Sequence, residues 1–240
     1  MKLKLTPAYV LSFLSLVFLV HELHDWAHVI AARFICGCWG LRTFDYWTFC
    51  AHCNTDPEFQ ALAWFAGPAV SYIVVWTGWW LMDPRSSPKR KSLGFSLLFS
   101  ALPFTRILAA AVGGGDETLG LRQIFQQEDG GNHHLVAVAG LLLVLALTVV
   151  PLVRALNILP GWLARLLVFV PFLLLPMYPD RFIVSYCMNK LLATGFLSEP
   201  FVGGASQLVT VWFLFLAAIL LLTKKSLSNL FKVSGKRATI

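Results

Sequence analysis

Charged side chains are scarce in this sequence, at 13% of its 240 residues. A soluble domain carries roughly 25% charged residues, because its surface must be hydrated, so most soluble folds are excluded. Cysteine, with five residues, is too rare for a secreted scaffold that depends on disulfides. The 19 Phe and 9 Trp would not remain solvated in a disordered chain. The remaining class, an all-α polytopic membrane protein, agrees with 58% hydrophobic residues.

Six segments have the length of about 20 mainly apolar residues that a helix needs to cross a bilayer. Three of them contain no charged residue, and three are interrupted by polar groups. The predicted spans are residues 8–38, 61–82, 92–112, 135–153, 162–178 and 200–223. Pro171 and Pro176 are expected to bend the fifth span. We therefore predict one integral membrane domain over residues 1–240 that ends in a basic tail at 224–240.

Basic and acidic loop residues separate onto opposite sides of this topology. The side that holds both termini contains Lys2, Lys4, Arg85, Lys89, Arg90, Lys91, Arg154, Arg165, Lys224, Lys225, Lys232, Lys236 and Arg237. The other side contains Asp45, Asp56, Glu58, Glu117, Glu128, Asp129, Asp180 and Glu199. Because basic loops stay in the cytoplasm, we expect both termini there, in a bacterial inner membrane. The net charge of +7 therefore reflects topology and does not indicate a nucleic-acid partner.

The first span contains a dense cluster of ionisable side chains. The cluster consists of His21, Glu22, His24, Asp25 and His28. Such groups are costly in lipid, so their presence indicates a functional site. On a helix that turns by 100° per residue, four of them share an arc of about 100°, and Glu22 borders it. The cluster therefore predicts one polar helix face.

The spacing within this cluster predicts a metal site. His24 and His28 lie one helical turn apart and can reach one ion, and Asp25 directly follows the first histidine. The resulting H-D-x-x-H is one methylene shorter than H-E-x-x-H, in which the acid activates zinc-bound water. Zn²⁺ is therefore the expected cofactor. A proton or ion pathway and haem ligation remain open as alternatives.

A catalytic zinc has three protein ligands, so one more must lie elsewhere in the chain. The candidates are His21, His52, Asp116, Glu117, His133 and His134. Asp116 is best placed, because it ends the third span after three glycines, where the chain can turn back toward a neighbour. An ordinary glycine turn with a solvated aspartate is the alternative. Arg106 is a candidate partner for a developing oxyanion, and its simpler role is charge balance for Asp25 or Glu22.

Three motifs follow one another, with one on each of the first three spans. They are His24-Asp25-Trp26-Ala27-His28, Ala66-Gly67-Pro68 and Asp116. Together they resemble the site-2 protease family of intramembrane zinc metalloproteases, whose three-span core carries H-E-x-x-H, an alanine-glycine-proline motif and a third-ligand aspartate. The sequence departs from that pattern at Asp25, where the family has glutamate, and at Ser71, where it usually has asparagine.

The resemblance implies a catalytic core over residues 8–117, with an outer loop at 39–60 and accessory helices over 134–223. His24, His28 and Asp116 would bind Zn²⁺, and Asp25 would act as general base toward zinc-bound water. His21 and Glu22 would shape a wet cavity around them. The implied activity is zinc-dependent endopeptidase cleavage of transmembrane segments of other membrane proteins.

Three other functions remain open at this stage. The shorter Asp25 is compatible with a catalytically degenerate relative that acts only as a membrane binding partner. A histidine-ligated membrane oxidase would add the His133–His134 pair, although its usual ligand set needs more histidines than the six present. A transporter would be expected to show paired repeats or broken helices, and the sequence shows neither.

The cysteines are expected on the non-cytoplasmic side. Cys36, Cys38, Cys50 and Cys53 flank the first outer loop, and Cys187 falls in the third outer loop. An oxidising compartment favours disulfides with one thiol left over, whereas the C-x-C and C-x-x-C spacing also suits a structural metal. Aromatic residues between them suit an interfacial belt or a cap over the first span. They are Phe44, Tyr46, Trp47 and Phe49.

Overall fold

The computed structural model describes residues 2–125 and 133–232. These ranges contain six helices that are long and apolar enough to cross a membrane, which confirms the predicted fold class. The helices are Pro7–Cys36, Pro57–Leu81, Pro88–Ala111, His133–Asn157, Gly161–Ala193 and Gln207–Asn229. Four charged loop and tail residues of the topology argument lie outside the described ranges. They are Glu128, Asp129, Lys236 and Arg237.

The first two spans are continuous helices that pack against each other. Helix α1 (Pro7–Cys36) starts at Thr6, whose hydroxyl accepts a hydrogen bond from the Tyr9 N–H, and stops at Gly37 with φ 76°. Helix α2 (Pro57–Leu81) also begins with a proline, which needs no hydrogen-bond partner in a first turn. The loop between them returns the chain along α1.

The third span is broken, which the sequence analysis did not predict. Two residues separate helix α3 (Pro88–Ser100) from α4 (Pro103–Ala111), and the second of them, Leu102, has φ 50°. Pro103 explains the position, because a proline disfavours helical geometry at the residue before it. Irregular backbone at this depth is tolerated where it borders a cavity, and Leu102 lines one.

Asp116 begins a helix instead of ending the third span. Gly113 and Gly115 have φ values of 75° and 84°, a region that favours glycine, and they redirect the chain into α5 (Asp116–Ile124). Gly120 of α5 packs against the Phe65 ring of α2. The predicted reversal after the glycines therefore occurs, but it is the first turn of α5 that presents Asp116.

The fifth span is much longer than the predicted 162–178. It follows α6 (His133–Asn157) and runs over Gly161–Ala193, with π-helical segments at Arg165–Phe169 and Asp180–Met188. The second half of this helix contains polar residues, and for that reason the sequence analysis treated it as a loop. Cys187 therefore lies within a helix and not in the third outer loop, and Asp180 is buried instead of lying in that loop.

The sixth span begins later than predicted, because residues 200–206 are not helical. It comprises an α-helix, Gln207–Thr223, that tightens into a 3₁₀ segment, Lys224–Asn229. Strand β1 (Lys2–Leu3) then pairs antiparallel with β2 (Phe231–Lys232). The two ends of the described chain thus lie at the same end of the bundle, as an even number of spans requires.

Aromatic side chains fill the half of the bundle that lies toward the paired chain ends. Phe13 of α1 and Phe95 of α3 place their ring centroids 5.0 Å and 5.1 Å from the ring centroid of Phe172 in the fifth span. Phe95 also contacts Phe231 of β2, at 5.4 Å between centroids. The polar face of α1 lies beyond this core, toward the cysteine-containing loop.

Candidate metal centre

The three predicted metal ligands meet between α1 and the start of α5. His24 Nε2 lies 3.0 Å from His28 Nε2 and 3.0 Å from Asp116 Oδ2. His28 Nε2 lies 3.5 Å from the same Asp116 oxygen. Within residues 2–125 and 133–232, these three side chains are of types that bind metals, and their ligand atoms lie close enough together to hold one ion.

The spacing of these atoms fits a tetrahedral zinc site. Ligands that bind zinc at about 2.0–2.1 Å in tetrahedral geometry lie about 3.3 Å from one another. The observed separations of 3.0, 3.0 and 3.5 Å lie on both sides of that value. Two imidazoles and one carboxylate form a donor set that zinc accepts, and three protein ligands are typical of its catalytic sites.

The hydrogen bonds around His28 direct its Nε2 toward the ligand cluster. His28 Nδ1 lies 2.7 Å from the Ala63 carbonyl oxygen of α2, which can only accept a hydrogen bond. The proton of this imidazole therefore resides on Nδ1, and the lone pair on Nε2 is left for a metal. Metal-binding histidines are commonly oriented in this way by a backbone carbonyl.

His24 carries its proton at the point where a metal would bind. Arg106 Nη2 donates to His24 Nδ1 at 2.6 Å, so the imidazole proton lies on Nε2, which faces Asp116 Oδ2 and His28 Nε2. The proton on His24 Nε2 thus faces two acceptor atoms, Asp116 Oδ2 and His28 Nε2. A divalent cation bound here would face the same atoms. A metal bound at Nε2 would require the imidazole proton on Nδ1, so Arg106 Nη2 would have to release Nδ1 and leave Ser71 Oγ, 3.1 Å away, to accept that proton.

Asp116 is held as a carboxylate by these contacts. Its Oδ2 atom lies 3.0 Å from His24 Nε2 and 3.5 Å from His28 Nε2, so the buried oxygen has imidazole partners on two sides. An ionised oxygen is what a zinc ligand must provide.

Gly67 of the alanine-glycine-proline motif brings α2 into contact with the two histidines. A Cβ atom added at this position would lie 2.2 Å from His28 Nε2 and 2.7 Å from His24 Cε1. Neither distance is compatible with atoms that are not bonded to each other. The motif therefore leaves room for the imidazoles, and Gly67 forms one wall of the ligand cluster.

Asp25 faces the same cavity as the three ligands. Its Oδ2 atom is buried and has no hydrogen-bond partner in the part of the chain that the structure describes. His21 Nε2 and Arg42 Nη2 each lie 3.7 Å from this oxygen. The carboxylate is thus positioned between two basic groups, with one oxygen available for a proton.

Arg106 balances a different acid from the two that the sequence analysis suggested. Its Nη1 donates to Glu117 Oε1 at 3.0 Å, and its Nη2 donates to Ser71 Oγ at 2.9 Å. The Tyr72 hydroxyl donates to the same Glu117 oxygen at 2.6 Å. Arg106 is therefore not unpaired and does not neutralise Asp25 or Glu22. Glu117, which follows Asp116, could not be identified as the partner of Arg106 from the sequence, because the sequence did not predict helix α5.

Glu22 does not line the cavity that contains the ligands. Its carboxylate forms a buried ion pair with Arg42 of the outer loop, whose guanidinium lies 4.8 Å from the Trp26 ring centroid. Arg42 is only 2% exposed. The expected cavity role of Glu22 is therefore wrong, and its position attaches the outer loop to α1. The sequence analysis did not single out Arg42, because nothing in the local sequence indicates that this part of the loop folds back onto α1.

The outer loop covers the three candidate metal ligands on one side. Disulfides join Cys36 to Cys53 and Cys38 to Cys50. The Trp47 ring stacks on the His28 ring with 4.9 Å between centroids and 13° between planes. Trp47 thus forms a cap over the site. A cap was one of the two arrangements that the sequence suggested for the aromatic residues of this loop, and an interfacial belt was the other.

The cavity beneath this cap has a volume of about 420 Å³. Its walls come from α1, the outer loop, α2, the broken third span, α5 and the fifth span. Polar lining residues include His21, His24, Asp25, His28, Ser71, Arg106, Asp116, Glu117 and Asp180. His133 and His134 begin α6 and do not line it, and His52 is exposed in the outer loop. The ligand cluster therefore borders a cavity, with polar side chains in its wall, that lies among spanning helices.

No protein-family model, curated protein or solved structure matches this chain. Its function is therefore inferred from the residues of the site.

Proposed function

We propose that this chain is a membrane-embedded, zinc-dependent endopeptidase of the site-2 protease type. His24, His28 and Asp116 would bind Zn²⁺, and Asp25 would act as general base. The observation that carries the proposal is the triangle of ligand atoms with sides of 3.0, 3.0 and 3.5 Å, placed at a cavity among spanning helices. Ionisable groups in a membrane interior mark functional sites, and this set matches zinc.

The residues around the ligands support hydrolysis. Bound zinc would supply the Lewis acidity that activates water near neutral pH. Asp25 Oδ2, which lines the cavity and has no hydrogen-bond partner within the described residues, would take up the proton. Arg106 would keep Glu117 and Ser71 in place beside His24.

The substrate would be the transmembrane segment of another membrane protein. A peptide bond in a helix is shielded, so such a segment must unwind locally, and helix-weakening residues should mark the cleavage point. His24 and His28 lie past the midpoint of α1, toward the disulfide-bonded loop. With both termini in the cytoplasm of a bacterial inner membrane, cleavage would occur in the outer half of the bilayer.

The metal site is tested by the zinc content of detergent-purified protein. We expect about one zinc per chain in the wild type and less than about a tenth of that in His28→Ala and Asp116→Ala, because two ligands cannot replace three. His52→Ala, which changes an exposed loop histidine, should retain full zinc. Absence of zinc from the wild type would reject the proposal. Loss of zinc only in His28→Ala would remove Asp116 from the site.

The role of Asp25 is tested by proteolysis. The probe is a reporter with one leucine-rich spanning segment, a central Gly-Pro pair and a soluble tag at each end. In zinc-loaded Asp25→Asn, cleavage should fall by about 10²–10⁴-fold, because the proton acceptor is lost. Asp25→Glu, which restores H-E-x-x-H, should retain activity. A zinc-loaded wild type that cleaves no such reporter would favour the non-catalytic binding partner.

A further inference from the structure

The fifth span places a buried acid beside the polar face of α1. Asp180 is only 4% exposed, and His21 Nδ1 donates to its Oδ1 atom at 2.7 Å. An ionisable group buried in a spanning helix is costly unless it has a partner and a purpose. The three-span core of the proposed enzyme does not include this helix.

The imidazole of His21 connects Asp180 to Asp25. Its Nδ1 edge contacts Asp180, and its Nε2 atom on the opposite edge lies 3.7 Å from Asp25 Oδ2. All three side chains line the cavity that contains the metal ligands. The orientation of the imidazole is therefore fixed from one side by Asp180, and its other side faces the proposed general base.

The backbone of the fifth span is adapted to this arrangement. Asp180 begins the π-helical segment Asp180–Met188, in which residues five apart fall on nearly the same face. Asp180 and Ser185, five residues apart, both line the cavity. In an α-helix their directions would differ by about 140°. Short π-helical stretches are frequent at functional sites.

A second contact already attaches this helix to the rest of the bundle. Asn189 donates to Asp45 of the outer loop, and its Oδ1 accepts from the Phe44 N–H. A contact that only joined the fifth span to its neighbours would not need an acid inside the cavity. The position of Asp180 is better explained by its effect on His21.

We propose that Asp180 and His21 are positioning residues for Asp25. Asp180 fixes the rotation of the His21 imidazole. The Nε2 edge of that ring and Arg42 Nη2, each 3.7 Å from Asp25 Oδ2, then bound the space in which the Asp25 carboxylate lies. The fifth span is then part of the catalytic unit instead of an accessory helix. This inference rests on the proposed peptidase function.

The test compares variants of the full-length, zinc-loaded protein on the single-span reporter. Asp180→Asn keeps the volume of the side chain but loses its charge, and we expect kcat to fall about 10–100-fold, as is usual when a partner that orients an active-site group is changed. KM should change less than about twofold, because no substrate contact is removed. Zinc content should equal that of the wild type, and Asp180→Glu should recover most of the lost rate. Asn189→Ala, a matched change in the same helix, should leave kcat unaltered.

A double variant separates positioning from a structural effect. If Asp180 acts through Asp25, Asp25→Asn combined with Asp180→Asn should be no slower than Asp25→Asn alone. Additive losses, or an unchanged kcat in Asp180→Asn, would overturn the inference while the peptidase function stands. A zinc-loaded wild type that does not cleave the reporter would reject the peptidase function and this inference with it.

Discussion

Replacement of Gly67 by alanine is expected to weaken metal binding strongly. The added methyl group would lie 2.2 Å from His28 Nε2 and 2.7 Å from His24 Cε1, so both imidazoles would have to rotate away from Asp116. Changes beside metal ligands typically weaken binding 10–100-fold, and displacement of two ligands should cost about 100-fold or more. Zinc affinity, measured by competition with a chromophoric chelator, checks this expectation.

A second glycine of α2 supplies the matched control. A Cβ atom at Gly78 would lie 2.6 Å from the Gly94 carbonyl oxygen, a clash comparable to that at Gly67 but at the α2–α3 contact. Gly78→Ala should therefore lower thermal stability and leave zinc affinity within about threefold of the wild type. If Gly67→Ala bound zinc as tightly as Gly78→Ala, α2 would not form a wall of the site.

Arg42→Met is expected to cause the largest loss of stability among the loop variants. The substitution leaves the Glu22 carboxylate, which is 1% exposed, without its cationic partner. Removal of one member of a buried ion pair costs about 3–5 kcal/mol. For a protein of this size, such a loss should lower the Tm in detergent by roughly 10 °C. Circular dichroism on heating would measure the shift.

The double variant Glu22→Gln with Arg42→Met identifies the cause of that loss. Replacement of both members of a buried ion pair by uncharged groups is often close to neutral, so the double variant should regain most of the Tm. A Tm as low as that of Arg42→Met alone would instead attribute the loss to the other contacts of Arg42, with Trp26 and with Asp25. A single variant as stable as the wild type would contradict the importance of the pair.

Local sequence patterns were sufficient to predict the spans and part of the site. Mainly apolar runs of about 20 residues predicted six spanning helices, because length and hydropathy are local properties. The one-turn spacing of His24 and His28 predicted that both would face one point. The glycines before Asp116 predicted a reversal of the chain, and the structure brings its carboxylate within 3.0 Å of His24.

Features that depend on distant contacts could not be predicted in this way. Asp180 lies 159 positions from His21, and nothing in the sequence indicates that the two side chains meet. The second half of the fifth span is π-helical, so its side chains do not follow the 3.6-residue period of an α-helix. A sequence pattern based on that period therefore does not place Asp180 and Ser185 on the same helix face. The partnership of Arg42 with Glu22 depends on a loop that folds back over α1.

The pairing of Cys36 with Cys53 implies an order of assembly. Cys36 is the last residue of α1, and Cys53 lies four residues before α2 starts at Pro57, so this bond ties the two helices together at the loop end of the α1–α2 hairpin. Chains are synthesised from the N-terminus, and early segments can associate before later ones exist. His24, His28 and Gly67 would thus form a precursor that is already covalently closed, and Asp116 would join it last as the third span and α5 are added.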